Sequence, residues 1–210
     1  MHKLLKSIIM SAAVLAVALV STSKASAQFR YGPMLGVNFS TMHFSQDLIS
    51  VKGTTGVTAG VQGELMFPGI GFGLGIGLAY NMIGADVNLG QKLIWASQGY
   101  GNEKLTLHYI DIPFHLRFKW TRMNGLEDYI APIVFFGPDF NVLTVAGNAS
   151  AFSTPRVSVA LTTGFGVEIM RRWQLTAAYA VGMTNAAKTI MLDDFHGKSR
   201  YWTIRAAYYF

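Results

Sequence analysis

The sequence predicts an all-β fold: an eight-stranded antiparallel up-and-down transmembrane β-barrel, preceded by a cleavable signal peptide. Three observations carry that prediction. Side chains alternate between apolar and polar along eight separate stretches, as they do in a strand whose two faces meet different surroundings. The connectors between those stretches alternate long and short, the pattern of an outer-membrane barrel with long extracellular loops and short periplasmic turns. Finally, the 210-residue chain is 51% hydrophobic and only 13% charged, where an average soluble domain carries about a quarter charged residues. So little charge asks for a solvent other than water, yet no apolar run after residue 27 is long enough to cross a bilayer as a helix.

Residues 1–27, "MHKLLKSIIMSAAVLAVALVSTSKASA", read as the signal peptide. Lys3 and Lys6 give a basic start, Ile8 to Val20 is apolar, and Ala25-Ser26-Ala27 is a small-x-small cleavage site ahead of Gln28. The apolar run is too short for a spanning helix, which needs about 20 residues. Residues 28–210 are then one outer-membrane β-barrel domain. With no cysteine in the chain, a disulfide framework, a thiolate metal site and a lipid-modified cysteine at the cleavage point are all excluded. The formal charge of +6 includes Lys3, Lys6 and Lys24 of the leader and no leader acid, which leaves +3 for the mature chain. That is too little to indicate nucleic acid.

The first segment, Phe29 to Phe39, sets Phe29, Tyr31, Leu35, Val37 and Phe39 against Arg30, Gly32, Met34, Gly36 and Asn38. In the second, Val57, Ala59, Val61, Leu65 and Phe67 oppose Thr58, Gly60, Gln62 and Glu64. The third, "GFGLGIGLAYNM", alternates Phe72, Leu74, Ile76, Leu78 and Tyr80 with glycines, then Ala79 and Asn81. The fourth, Leu105 to Trp120, places Ile110, Ile112, Phe114, Leu116, Phe118 and Trp120 opposite Tyr109, Asp111, His115, Arg117 and Lys119. The fifth, Tyr129 to Leu143, is apolar on both faces and contains Pro132 and Pro138. Its outer face is read as Ile130, Val134, Phe136, Phe140 and Val142, its inner as Gly137, Asp139 and Asn141.

The sixth segment, Val157 to Met170, sets Val159, Leu161, Phe165, Val167 and Ile169 against Ser158, Thr162, Gly164 and Glu168. The seventh, Gln174 to Thr184, sets Leu175, Ala177, Tyr179, Val181 and Met183 against Thr176, Ala178, Gly182 and Thr184. The eighth, "YWTIRAAYYF", is apolar on the Trp202, Ile204, Tyr208 and Phe210 face and carries Arg205 on the other. Long links over residues 40–56, 84–104, 144–156 and 185–199 alternate with the short "PGIG", "TRMNGLED" and "RRW". Both mature termini are therefore expected on the periplasmic side.

The runs "LHYIDIPFHLRFKW", "FFGPDFNVL" and "LTAAYAVGMTN", with the aromatic-ended last strand, resemble the PorT-like outer-membrane β-barrel family of Bacteroidota. That family shows a Y-x-E-I-P strand, a Gly-Pro strand centre and a Y-x-x-G-(L/M)-T-N strand. Tyr109, Ile112 and Pro113 match the first of these, with Asp111 where glutamate is usual. The resemblance spans nearly all of the mature chain. It implies a barrel in the outer membrane, and it raises a part in protein secretion, the role of the family's namesake.

The expected inward charges are Arg30, Glu64, Asp111, His115, Arg117, Lys119, Asp139, Glu168 and Arg205. Eight strands enclose an interior that side chains fill, where unpaired charge is costly. An interlocked ion-pair layer toward the periplasmic end, Arg205 included, is therefore expected to close the barrel. Trp202, Ile204, Tyr208 and Phe210 are the expected insertion signal, resembling what the bacterial barrel-insertion machinery reads.

Other motifs have plainer readings. "GIGFGLGIG" lacks the following helix that a nucleotide loop needs, and an inward glycine row instead makes room for Tyr109, His115, Arg117 and Lys119 of the next strand. "HFSQD" (His43, Ser45, Asp47) and "DDFHGK" (Asp193, Asp194, His196) could hold a rim-located lipid-modifying site or a metal, but neither has a spacing that demands one. His108 faces outward near the extracellular end. The functional expectation is a closed structural or binding scaffold, with no enzyme activity, cofactor or metal. The alternatives are a component of a secretion machinery, a narrow channel, or a rim-located lipid-modifying enzyme. Expected partners are outer-membrane lipid, the insertion machinery and a protein at the loops or periplasmic rim; nucleic acid is not among them.

Overall fold

A computed structural model describes residues 28–44, 50–67, 71–88, 102–121, 123–147, 152–184, 187–189 and 196–210. The strands are β1 (Gln28–Phe44), β2 (Ser50–Met66), β3 (Phe72–Asn88), β4 (Asn102–Lys119), β5 (Ile130–Ala146), β6 (Phe152–Ser153), β7 (Val157–Ile169), β8 (Trp173–Gly182), β9 (Ala187–Thr189) and β10 (His196–Tyr208). The long ones pair in the order β1-β2-β3-β4-β5-β7-β8-β10, and β10 returns to β1, every pairing antiparallel. This is the closed eight-stranded barrel. Closure leaves no open edge, which is the condition for a sheet to exist in lipid, where an unpaired backbone group has no water to turn to. The last bond of the seam is the Phe210 amide donating to the Tyr31 carbonyl.

The faces fall as the period-two pattern requires. Leu35, Val61, Ile76, Leu116, Phe165 and Ile204 are among the exposed outer side chains, and the polar side chains between them point into the lumen. Pro132 and Pro138, which interrupt the fifth stretch, leave β5 continuous.

Two features differ from the sequence expectation. The strands run further at one end of the barrel, here called the loop end, so β1 reaches Phe44, β2 starts at Ser50, β3 reaches Asn88 and β4 starts at Asn102. Residues 40–44 and 50–56 of the first expected connector, and 84–88 and 102–104 at the two ends of the second, are wall. The reason lies in an inversion of the pattern: Met42, Ile83, Ala85, Val87, Leu105 and Leu107 point inward and are buried, while Thr41, His43 and Lys52 face out and are exposed. Above the lipid band the outside is water and the inside is core, so an apolar-outward rule stops finding strand there. The second difference is a pair of short strands inside the expected long links. β6 pairs with β9, and β9 with β10.

At the opposite, turn end, the β4–β5 link contains a 3-10 turn, Leu126–Asp128, entered through Asn124 (φ 56°) and Gly125 (φ 91°). The β7–β8 hairpin is tighter. Met170 (φ 51°) and Arg171 (φ 57°) are both left-handed, and the Arg172 amide donates to the Ile169 carbonyl at 3.2 Å. This is a primed two-residue turn, usually built from Asn-Gly. Neighbours hold it in place: the Arg30 guanidinium donates to the Arg171 carbonyl at 2.5 Å, and the Arg171 side chain pairs with Asp128. Replacing Met170-Arg171 by Asn-Gly is expected to stabilise the barrel by about 1–2 kcal/mol, the cost of left-handed backbone in residues with a Cβ. Urea unfolding from lipid vesicles measures it; an unchanged or lowered midpoint would contradict the prediction.

Candidate functional site

Among the described residues, charge away from water is concentrated in the lumen, and it is layered. At the turn end, Glu64 on β2, fully buried, and Glu168 on β7, 4% exposed, share three cations. Glu64 Oε1 accepts from Arg30 Nη2 at 2.6 Å and from Lys119 Nζ at 2.7 Å, and Oε2 accepts from Arg117 Nη1 at 2.7 Å. Glu168 Oε2 accepts from the same Arg30 nitrogen at 2.5 Å and from Lys119 at 2.7 Å. Gln174 ties the two acids together, donating at 2.9 Å to each, and its carbonyl oxygen accepts from Arg117 at 3.2 Å. Tyr209 accepts from Arg117 at 2.9 Å and from Gln62 at 2.7 Å, and the Arg30 guanidinium lies over its ring.

The wall builds this lattice through register. Arg30 is directly opposite Glu64 across β1–β2, and Glu168 opposite Gln174 across β7–β8. Arg117 fits because Gly75 faces it: a Cβ on Gly75 would lie 2.9 Å from Arg117 Cδ. Of the inward glycine row, Gly75 alone makes room for a basic side chain: a Cβ on Gly73 would meet Met66 and the Leu65 carbonyl, and one on Gly77 the Val61 carbonyl and Pro113. Gln174, Gln62 and Tyr209 belong to the lattice although they carry no charge. Their signal in the sequence was position, since each lies on the inward face of its segment.

A second polar layer lies further up. His115 Nε2 contacts Asp139 Oδ1 at 2.7 Å, Thr162 donates to Asp139 Oδ2 at 2.5 Å, and the His115 ring stacks on Phe135. Asp111 and Arg205 are buried at this depth, and neither forms an ion pair among the described residues. This corrects the expectation that Arg205 joins the layer of Glu64. β10 meets β1 with Arg205 opposite Gly36, well up the strand from Arg30, because strands closing into a barrel are staggered. A cavity of ≈ 20 Å³ lies against Gln62, His115, Arg117, Thr176 and Arg205, which is room for about one water molecule.

Toward the loop end the lumen turns apolar. Met42, Ile83, Leu105 and Leu107 fill it together with Tyr109 and Tyr201. Beneath them Asn38 donates to Asn81 at 2.6 Å and accepts from Thr203 at 2.9 Å. The lumen therefore holds an ionic lattice, a polar middle and an apolar cork.

Of the rim candidates, only the side chain of His43 lies within the described residues. His43 is outward and exposed, while Ser45, Asp47, Asp193 and Asp194 lie outside the described residues, as do the side chain of His196 and the whole of the expected leader, residues 1–27. Among the described residues no three His, Asp or Glu side chains converge as a metal would require. His108 faces outward and is bonded through Nδ1 to the Tyr80 hydroxyl at 2.5 Å. The closing strand presents Trp202, Ile204 and Phe210 outward, with Tyr208 half-buried beside them. Phe210 packs on Tyr31 and Tyr208, and Tyr208 on Trp173.

A family model described as "Outer membrane protein beta-barrel domain" matches residues 21–188. No curated protein matches the chain. Among solved structures, the chain is similar to the outer membrane protein OprG from Pseudomonas aeruginosa at 14% identity and a TM-score of 0.49, covering 89% of this chain and 97% of that one. It is similar to Ail, the attachment invasion locus protein of Yersinia pestis, solved with the heparin analogue sucrose octasulfate, at 13% identity and a TM-score of 0.43, covering 87% and 99%. For Neisserial surface protein A the values are 11%, 0.43, 83% and 95%.

Proposed function

This chain belongs to the outer membrane protein beta-barrel domain family, and from that premise we propose that it is a closed scaffold, anchored in the outer membrane and presenting its loop end to the exterior. The filled lumen carries the reading. A conducting barrel needs a continuous polar path. Here Glu64, Glu168 and their three cations occupy one end, and the buried Met42, Ile83, Leu105 and Leu107 occupy the other. Moving an ion through would mean breaking several charge-assisted hydrogen bonds and then crossing an apolar segment with no partner for the charge.

The scaffold reading involves no catalytic step and no cofactor. It takes residues 1–27 as an export leader that is removed, and both mature termini as periplasmic, with the short turns on the side from which the barrel inserts. The finer assignment, to the PorT-like members in Bacteroidota, rests on Tyr109, Ile112 and Pro113 and on the run Tyr179 to Asn185. Partners in this reading are outer-membrane lipid, the insertion machinery that takes up the aromatic-ended last strand, and a protein at the loops or periplasmic rim.

Planar-bilayer recording from purified, folded protein tests the closed state. Membranes are expected to stay silent at moderate voltage. Steady, ohmic conductance that scales with inserted protein would overturn the scaffold in favour of a channel.

A further inference from the structure

The outer wall at the loop end carries cations where the membrane surface must lie. On the β10–β1 seam, Phe39 is paired in register with Trp202, and Trp202 packs on Tyr179 at 5.0 Å. Outward aromatic residues of this kind mark the membrane–water interface. The next outward pair along the seam is Thr41 with Arg200, and the one after it is His43 with Lys198. All four side chains are exposed. A strand advances about 3.3 Å per residue, so Thr41–Arg200 stands roughly 7 Å and His43–Lys198 roughly 14 Å along the wall beyond Trp202. Strand tilt shortens these to about 5 and 10 Å along the membrane normal, from inside the headgroup layer to its boundary with water.

Such a column of cations is unfavourable by itself. Lys198 and Arg200 share one face of one strand, where like charges repel, and His43 stands directly across from Lys198. Among the described residues no carboxylate lies within ion-pair distance of any of the three. The neighbouring inward positions, Met42, Ser199 and Tyr201, supply no acid either. Lys52 on β2 differs, because Asp86 stands opposite it across β2–β3.

We propose that Lys198, Arg200 and His43 on the loop-end seam form a docking site for the phosphate of an anionic lipid headgroup. An occupant of that column sits beside the aromatic belt, at the depth of lipid headgroups, and must carry negative charge. A guanidinium, an ammonium and an imidazole along one outward column suit phosphate oxygens, and cations at a membrane surface draw anionic lipid. The acyl chains of such a lipid would run down over Trp202, Phe39, Ile204 and Val37, which are exposed below the column. The site is defined by the wall and does not depend on the barrel being closed or on which side the loop end faces.

Native mass spectrometry of the full chain released from nanodiscs tests this, using lipid A, phosphatidylglycerol and phosphatidylcholine as separate probes. Retention of the two anionic lipids over phosphatidylcholine is expected. Lys198→Gln with Arg200→Gln should reduce that retention about thirtyfold, roughly fivefold for each cation at an anionic surface, while heat-modifiable gel mobility shows the barrel still folded. Lys52→Gln should leave retention unchanged. Equal retention of phosphatidylcholine, an undiminished signal in the folded double variant, or an equal loss in Lys52→Gln would overturn the proposal. Displacement of the lipid by millimolar inorganic phosphate would overturn it as well, by making the column a free-phosphate site. Should the double variant fail to fold, the single Arg200→Gln variant is read by the same criteria.

Discussion

Replacing Glu64 with alanine is expected to destabilise the barrel by about 3–5 kcal/mol, the usual cost of removing one partner from a buried ion-pair network. Glu64 is fully buried and accepts from Arg30, Lys119, Arg117 and Gln174 at 2.6–2.9 Å. Its loss leaves three cations to Glu168, which is bonded to Arg30 and Lys119 but not to Arg117. Arg117 is then buried with only Tyr209 and Gln174 as acceptors. The measurement is the urea midpoint for unfolding from lipid vesicles. Exposed Thr121 in the β4–β5 link is a control whose substitution should move that midpoint by no more than about 0.5 kcal/mol in stability. Combining Glu64→Ala with Lys119→Met should recover part of the loss, because a buried cation leaves along with the carboxylate. If Glu64→Ala unfolds at the wild-type midpoint, the lattice contributes nothing to closing the barrel.

Replacing Tyr208 and Phe210 together by alanine is expected to lower the amount of barrel assembled in the outer membrane roughly ten- to a hundredfold. The double change removes the ring contacts Phe210–Tyr31, Phe210–Tyr208 and Tyr208–Trp173, each worth about 0.5–1.5 kcal/mol. It also removes aromatic side chains from the turn-end girdle, where β10 must find β1 to complete the wall. Export should continue, because the export leader proposed over residues 1–27 occupies the opposite end of the sequence. Fractionation with heat-modifiable gel mobility separates the outcomes: the variant should accumulate unfolded in the periplasm or be degraded there. Normal outer-membrane levels of folded protein would end the role assigned to these residues.

The inward and outward sets of all eight staves were legible because the side-chain period of a strand is two and lipid tolerates no mistake in it. Phe29 through Phe39 and Trp202 through Phe210 declare their faces residue by residue. The loop-end wall was not legible, since beyond the lipid band the contrast reverses. Met42 and Val87 go inward there while Thr41 and His43 go outward, and a reader expecting apolar-outward side chains sees a polar loop. The strands β6 and β9, of two and three residues, carry too few side chains for any period to register.

Charge shows the same division. That Arg30, Glu64, Arg117, Lys119 and Glu168 point inward follows from alternation alone, and so does the inward aim of Asp111, His115, Asp139 and Arg205. Which of them meet is a matter of depth, and depth is set by the stagger between strands, a property of the closed barrel that no single strand contains. Stagger places Arg30 opposite Glu64 and carries Arg205 up to Gly36, so two residues that seem neighbours when counted from the chain ends belong to different layers. It also brings Gln174 and Tyr209 to the carboxylates, a partnership invisible in sequence because a neutral amide and a phenol give no charge signal. One sequence of alternating faces thus determines a wall, while the shear adopted when β10 closes onto β1 decides which inward groups share the lattice, because only closure fixes every strand's height relative to the others.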